Sequence, residues 1–231
     1  RMPDEHKTTV AGRDFWLGHW HGHEVVAVLS RIGKVAAATT TTLLIERFGV
    51  EQVLFTGTAG GLSPAARVGD VVVARTFLQH DMDASPLFPR YEVPLTGRAY
   101  FDTDPTLTQT LVEAAPVALR ELVQQVPRAQ WLDIDLPAAQ VHEGLILSGD
   151  RFVATQAESA ALQRHLPAAL CVEMEGAAVA QVCHDYGVPL AALRTISDRA
   201  DDAAHVDFMR FIQHIASHYS AAVLDHSLAL L

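Results

Sequence analysis

Two acidic clusters lie close together between Cys171 and Asp198, in the segment CVEMEGAAVAQVCHDYGVPLAALRTISD. Ala169 to Val172 is a short apolar run. Glu173, Met174 and Glu175 follow it and open a helix whose Ala177, Ala178, Ala180 and Val182 are small and apolar. Both carboxylates are thereby expected at a helix N-terminus. A second run, Pro189 to Ile196, reads as a fully buried strand that stops at Ser197 and Asp198. Ligand sites in α/β folds lie beyond the carboxyl ends of the strands, so two or three acids are expected to converge on one crevice. Carboxylates gathered there move protons or stabilise positive charge. Each also has a plainer reading: a glutamate in a first turn complements the helix dipole, and Asp198 serves as a cap or a solvated loop acid.

The surrounding pattern supplies the elements that place these groups. Asp14 to Trp20 and Glu24 to Ser30 flank His21-Gly22-His23 and read as a β-hairpin. Gly33 to Phe48 is an Ala- and Thr-rich helix ending before Gly49. Val53 to Thr56 is a buried strand, and Gly57 to Gly61 reads as a glycine-rich turn at its end, whose backbone N–H groups can approach a polar ligand closely. Val71 to Ala74 is a further strand. Gln79 to Gly97 has three prolines and no period, the mark of a long loop. Pro105 to Gln125 is helical, His142 to Ser148 is a strand, and Val206 to Leu230 reads as one long amphipathic helix. Alternating strands and helices without repeats or linkers predict a three-layer α/β/α sandwich around a central mixed sheet, with residues 1–231 forming one domain.

Composition bounds the partners. The chain has 231 residues, 49% of them hydrophobic, and a formal charge of -10. With a pI near 5.6 and no Lys/Arg run, it is not built to bind a phosphate backbone, so small molecules are the expected partners and nucleic acid is not. Cys171 and Cys183 lie in apolar segments, which predicts buried thiols in a reducing, cytoplasmic compartment. No apolar stretch approaches the roughly 20 residues of a membrane span, and no signal peptide opens the chain. His19, His21 and His23 alternate along one strand, where an exposed hairpin is the reading adopted, and no metal or cofactor is assigned. Gly33-Lys34 is not a Walker A loop, since Val28 stands where its first glycine belongs and Val35 follows the lysine.

Taken in order, Ser30 to Ala38, Thr56 to Leu62, Val68 to Val73, Ser148 to Asp150, Val172 to Glu175 and Arg194 to Asp198 resemble the 5′-methylthioadenosine/S-adenosylhomocysteine nucleosidases. The resemblance implies a nucleoside phosphorylase-like fold, a homodimer, and hydrolysis of the bond joining adenine to a 5′-thio-substituted ribose. It implies that Asp198, with Ser197 beside it, protonates adenine N7, that Phe152 stacks on the base, and that the Val153 backbone reads its Watson–Crick edge. Glu175 would hold the ribose hydroxyls with Met174 packed beneath the sugar. Glu173, Thr58 and Arg194 match the polar cluster around the sugar and the attacking water. Phe88 and Tyr91 resemble aromatics that reach across the dimer to cover the 5′-alkylthio group.

Three departures accompany the resemblance. The family begins with a strand and an acidic segment whose glutamate activates water; nothing before His19 resembles it, so the water-activating base is unassigned. A polypeptide beginning at Arg1 is accordingly expected to bind adenine nucleosides and hydrolyse them poorly. Thr58 stands where these enzymes usually have serine, and Arg31 where they have a small residue. Purine nucleoside phosphorylases of the same superfamily place an arginine three residues before that hydroxyl; here the position is Phe55, and Arg31 is the available substitute. A futalosine hydrolase and a non-catalytic nucleoside-binding module are the other readings.

Overall fold

The computed structural model describes residues 2–125, 127–128 and 138–231. Three N-terminal strands, β1 (His6–Val10), β2 (Arg13–Trp20) and β3 (His23–Val28), form an antiparallel sheet of their own. Beyond the expected β2–β3 hairpin, β1 was not legible: four of its five residues are polar or exposed, and only its ladder to β2 makes it a strand. Histidines of the hairpin are paired with acids, His19 with Asp4 at 2.6 Å and His21 with Asp225 at 3.0 Å. Arg13, buried, ties β2 to the first helix α1 (Lys34–Phe48) through Thr40 Oγ1 at 2.7 Å and the Ala36 carbonyl at 3.2 Å.

Apolar runs rich in β-branched residues become the second sheet. It contains β4 (Val53–Gly61), β5 (Val71–Gln79), β6 (Tyr100–Asp102), β7 (Val141–Ser148), β8 (Ala169–Glu173) and β9 (Leu190–Asp198). Their order is β6-β5-β7-β8-β4-β9, and β9 returns to pair antiparallel with the start of β5, Val71 opposite Thr195. This is the expected central mixed sheet, closed on itself. Side chains alternate across it as the strand period requires. Val72, Ala74 and Ala192 face a core with α1 and α4 (Gly176–Tyr186), whereas Val71, Val73, Ala191 and Leu193 face α2 (Pro105–Gln125), α5 (Ala204–His214) and α6 (Ala216–Leu230). The two cores make the three layers. Both cysteines are buried and free, and no helix among the described residues is long and apolar enough to cross a membrane.

Two local expectations are corrected, and two elements had no sequence expectation. Gly57 to Gly61 is not a turn but the end of β4, because β9 runs on to Asp198 and pairs with it as far as Gly60. The C-terminal helix is two helices, broken at Ile215 (φ -127°, ψ -40°), where Phe211, Ile215 and Tyr219 all enter one core. Helix α3 (Gln156–His165) was missed because it buries no residue and so carries no apolar stripe, although Thr155, accepting from the Glu158 N–H, is the readable capping signal. Strand β6 was missed because three residues are too few for a period.

Gly176 opens α4 directly against Phe77, and an added Cβ would overlap that buried ring. Alanine favours the helix by at most about 1 kcal/mol, whereas overpacking a core costs about 1–3 kcal/mol. Gly176→Ala is therefore expected to lower stability by about 1–2 kcal/mol in chemical denaturation. A midpoint equal to or above that of the parent would contradict this packing.

Candidate active site

Strand register brings the polar strand ends together. Gln79 lies opposite Ser148, and Ser148 opposite Glu173. In the next row Val172 lies opposite Gly60, and Gly60 opposite Asp198. Five strands thus deliver their last residues to one place.

At its floor is a buried ion pair. Arg194 and Glu173 are 1% and 6% exposed, and Arg194 Nη2 and Nε donate to Glu173 Oε2 at 2.6 and 3.2 Å. The guanidinium lies over the Phe55 ring, 4.1 Å from its centroid. Gly57, opposite Arg194 on β4, leaves it room, since a Cβ there would stand 3.0 Å from Nη1. Glu173 is engaged on every side. It accepts from Ser148 Oγ, from the Gly176 N–H at 2.8 and 2.9 Å, and from the Glu175 N–H at 3.0 Å. Glu173, which the resemblance places in the polar cluster around the sugar and water, here caps α4 and pairs with Arg194, itself a member of that cluster. Ser148, whose Oγ also accepts the Ala177 N–H at 2.7 Å, had no role in the sequence reading beyond its motif.

Glu175 stands two residues further on, at the N-cap of α4. Its Oε1 accepts the Gly33 N–H at 2.8 Å. Burial pushes its carboxyl above the usual glutamate range, and the Glu173 charge adds to the effect, while Arg194 and the Gly33 N–H oppose it. Linked to it through the Gly33 loop are Lys34 and Asp150, which lie in the resembling motifs but have no role assigned there, and Asp81, which the sequence did not single out. Lys34 Nζ reaches Asp81 at 2.6 Å, and the Lys34 N–H donates to Asp150 at 2.8 Å. His80 is packed so closely on Gly149 that a Cβ there would overlap its ring, and burial holds its imidazole below the usual pKa.

Asp198, 2% exposed, accepts from Ser197 Oγ at 2.8 Å and from the Ala200 N–H at 2.9 Å. A Cβ on Gly60 would stand 2.8 Å from its Oδ1, so the glycine admits the carboxylate. Val153 is anchored with Leu62, Val172 and Ala200 in a third apolar cluster, against which Tyr91 packs. Phe152 is 40% exposed, edge-on to Phe208 at 5.4 Å. Met174 is half-buried between the two glutamates, and Thr58 is half-buried opposite Thr195. Phe88 stays with its own loop, its N–H donated to Ala84.

Removing one partner of a buried pair leaves the other charge uncompensated, which costs about 3–5 kcal/mol. Arg194→Met is expected to lower the unfolding free energy by that amount in urea titration. A loss below about 1 kcal/mol, the value of a surface pair, would show that the pair does not hold the floor.

The sequence pattern of the phosphorylase superfamily matches residues 3–229. A 5′-methylthioadenosine/S-adenosylhomocysteine nucleosidase of Shewanella loihica is 36% identical over 96% of this chain and 89% of its own length. The nucleosidase of Neisseria meningitidis, solved with methylthio-immucillin-A, superimposes with a TM-score of 0.87 at 32% identity, covering 100% of this chain and 91% of that one. A futalosine hydrolase of Helicobacter pylori superimposes with a TM-score of 0.83 at 34% identity, covering 99% and 89%. Matched by that pattern over residues 3–229 and 36% identical to a nucleosidase over 96% of its length, the chain belongs to the phosphorylase superfamily and, within it, to the 5′-methylthioadenosine/S-adenosylhomocysteine nucleosidases, hydrolases of the N-glycosidic bond.

Proposed function

We propose that this chain hydrolyses 5′-methylthioadenosine and S-adenosylhomocysteine to adenine and the corresponding thioribose. The observation that carries the choice of water over phosphate is Phe55. Its ring fills, beneath Arg194, the place where phosphorylases of the superfamily carry an arginine. Arg31, the one substitute the sequence offered, is exposed and donates to the Gly12 carbonyl. An apolar ring at that position has no charge with which to hold phosphate.

Each residue then has a physical task. Adenine leaves poorly as an anion, so its N7 must be protonated as the bond breaks, and Asp198 is the acid. Ser197 and the Ala200 N–H orient that carboxyl. Phe152 stacks on the base, and Val153, fixed by its buried side chain, offers its backbone to the base edge. Glu175 Oε1 is held by Gly33, and Oε2 accepts from the ribose hydroxyls, with Met174 beneath the sugar. A carboxylate there also favours the oxocarbenium character of the departing ribose. Thr58 and the Arg194–Glu173 pair complete the polar wall. Tyr91 and Phe88 cover the 5′-thio substituent of a second copy, in a homodimer. Leu87 and Leu95, 85% and 90% exposed in the single chain, support that interface. The buried free thiols support a cytoplasmic location.

The direct test is incubation with 5′-methylthioadenosine, with and without phosphate. Free 5-methylthioribose and adenine should form in both, and a 1-phosphate sugar would sink the hydrolase reading. Futalosine, included because of the Helicobacter pylori relative, is expected to be the poorer substrate. Asp198→Asn should still bind adenine but lose about 100- to 10,000-fold in turnover, because an amide cannot give N7 a proton. Near-normal turnover in that variant moves the acid elsewhere. For the dimer, sedimentation at micromolar concentration should give twice the chain mass; an active monomer overturns it.

A further inference from the structure

Three segments near Glu175 are joined by one ammonium group and two backbone N–H groups. Lys34 Nζ donates to Asp81 Oδ1 at 2.6 Å and to Gln79 Oε1 at 3.0 Å. Asp81 Oδ2 accepts the Asp150 N–H at 2.9 Å, and Asp150 Oδ1 accepts the Lys34 N–H at 2.8 Å, which closes a ring. Gln79 in turn donates to Gln181 of α4 at 2.8 Å. The residue before Lys34 is Gly33, whose N–H holds Glu175. Gly33 has φ 94°, and a Cβ on it would stand 3.1 Å from Asp150 Oδ1, so its geometry depends on where Asp150 lies.

Apolar burial does not hold this loop. Leu29, Ile32 and Val35 are 85%, 74% and 78% exposed in the single chain. The Lys34 side chain, by contrast, is only 16% exposed, and its ammonium meets a carboxylate and an amide oxygen. Charge-assisted hydrogen bonds in such a setting are the strong ones.

We propose that Lys34 is a positioning residue for Glu175: through Asp81 and Asp150 it fixes Gly33, and through the Gly33 N–H it orients the ribose carboxylate. The inference rests on Glu175 being that carboxylate. Glu175 faces Glu173 from β8 and Arg194 from β9, with Lys34, Asp81, Asp150 and His80 on the flanking loops. The groups that act on its charge are Glu173, Arg194 and the backbone N–H groups, Gly33 among them. Loss of Lys34 therefore reaches Glu175 through the Gly33 hydrogen bond. That bond stabilises the ionised form, so its loss raises a carboxyl already raised by burial, and the protonated, inactive form persists to higher pH.

The experiment is the pH profile of kcat/KM for 5′-methylthioadenosine in Lys34→Met, Lys34→Arg, Asp81→Asn and Glu175→Gln. Lys34→Met and Asp81→Asn are each expected to lose about 10- to 100-fold, the scale of a misplaced catalytic contact, and to move the acidic limb upward. Lys34→Arg, which keeps the cation, should restore most of the rate and the parent limb. A parental profile in both Lys34→Met and Asp81→Asn overturns the proposal, as does a uniform loss with the acidic limb unmoved. An undiminished Glu175→Gln overturns instead the ribose role on which it rests.

Discussion

The buried pair of Arg194 and Glu173 is the constraint on which the rest of the site depends. Taking a guanidinium and a carboxylate out of water costs several kcal/mol per ion, and their attraction offsets this only if the remaining donors and lone pairs are also met. Here they are met by many elements at once. Arg194 takes Glu173, the Leu193 carbonyl at 3.3 Å and the Phe55 ring; Glu173 takes Ser148 and two N–H groups of the α4 start. One pair thereby holds β4, β7, β8, β9 and α4 in a single relation. Glu175 lies two residues beyond one ion and Asp198 four beyond the other, so both carboxylates are placed by the pair without belonging to it.

Neighbouring acids acquire different properties from that arrangement. Glu173 has a cation and a set of donors, whereas Glu175 is buried beside it with fewer donors and a like charge close by, which raises its carboxyl. In the proposed reaction the carboxylate under the ribose must be ionised, so the Arg194 charge and the Gly33 N–H, which oppose the upward shift, are what keep Glu175 usable. The proposed proton source for the base, Asp198, is held by Ser197 Oγ and the Ala200 N–H.

Much of this was legible in the sequence because strands advertise themselves by apolar runs and register then does the rest. The strand ending at Asp198, the helix Pro105–Gln125 and the acids at the α4 start follow from periodicity and flanking residues alone. What stayed hidden has physical reasons. Strand β1 has no apolar alternation, since β2 offers it a hydrogen-bonded ladder and polar contacts such as Lys7 with Asp14 at 3.1 Å. The glycine run looked like a turn because glycine marks turns most often, whereas Gly57 and Gly60 are needed within a strand to let Arg194 and Asp198 approach. The Lys34–Asp81–Asp150 ring joins residues 47 and 69 positions apart, and no local pattern announces a contact of that separation.

Phe55 ties the floor of the site to the choice of reaction. In sequence it reads as the absence of a phosphate-binding cation; in the structure it is the surface on which Arg194 rests. A second guanidinium in its place would stand within about 4 Å of the first, a repulsion of about 4 kcal/mol at an effective dielectric of 20. Glu173, already saturated, has no lone pair left to compensate it. Such a pair of cations is sustained only when an anion is bound between them, which is the situation of an enzyme that uses phosphate. With an aromatic ring instead, the floor is complete while the site is empty, and the only small nucleophile it needs to admit is neutral. The same contact that stabilises the buried arginine thus removes the means of binding a phosphate co-substrate, so support of the fold and selection of water over phosphate are one feature of this chain.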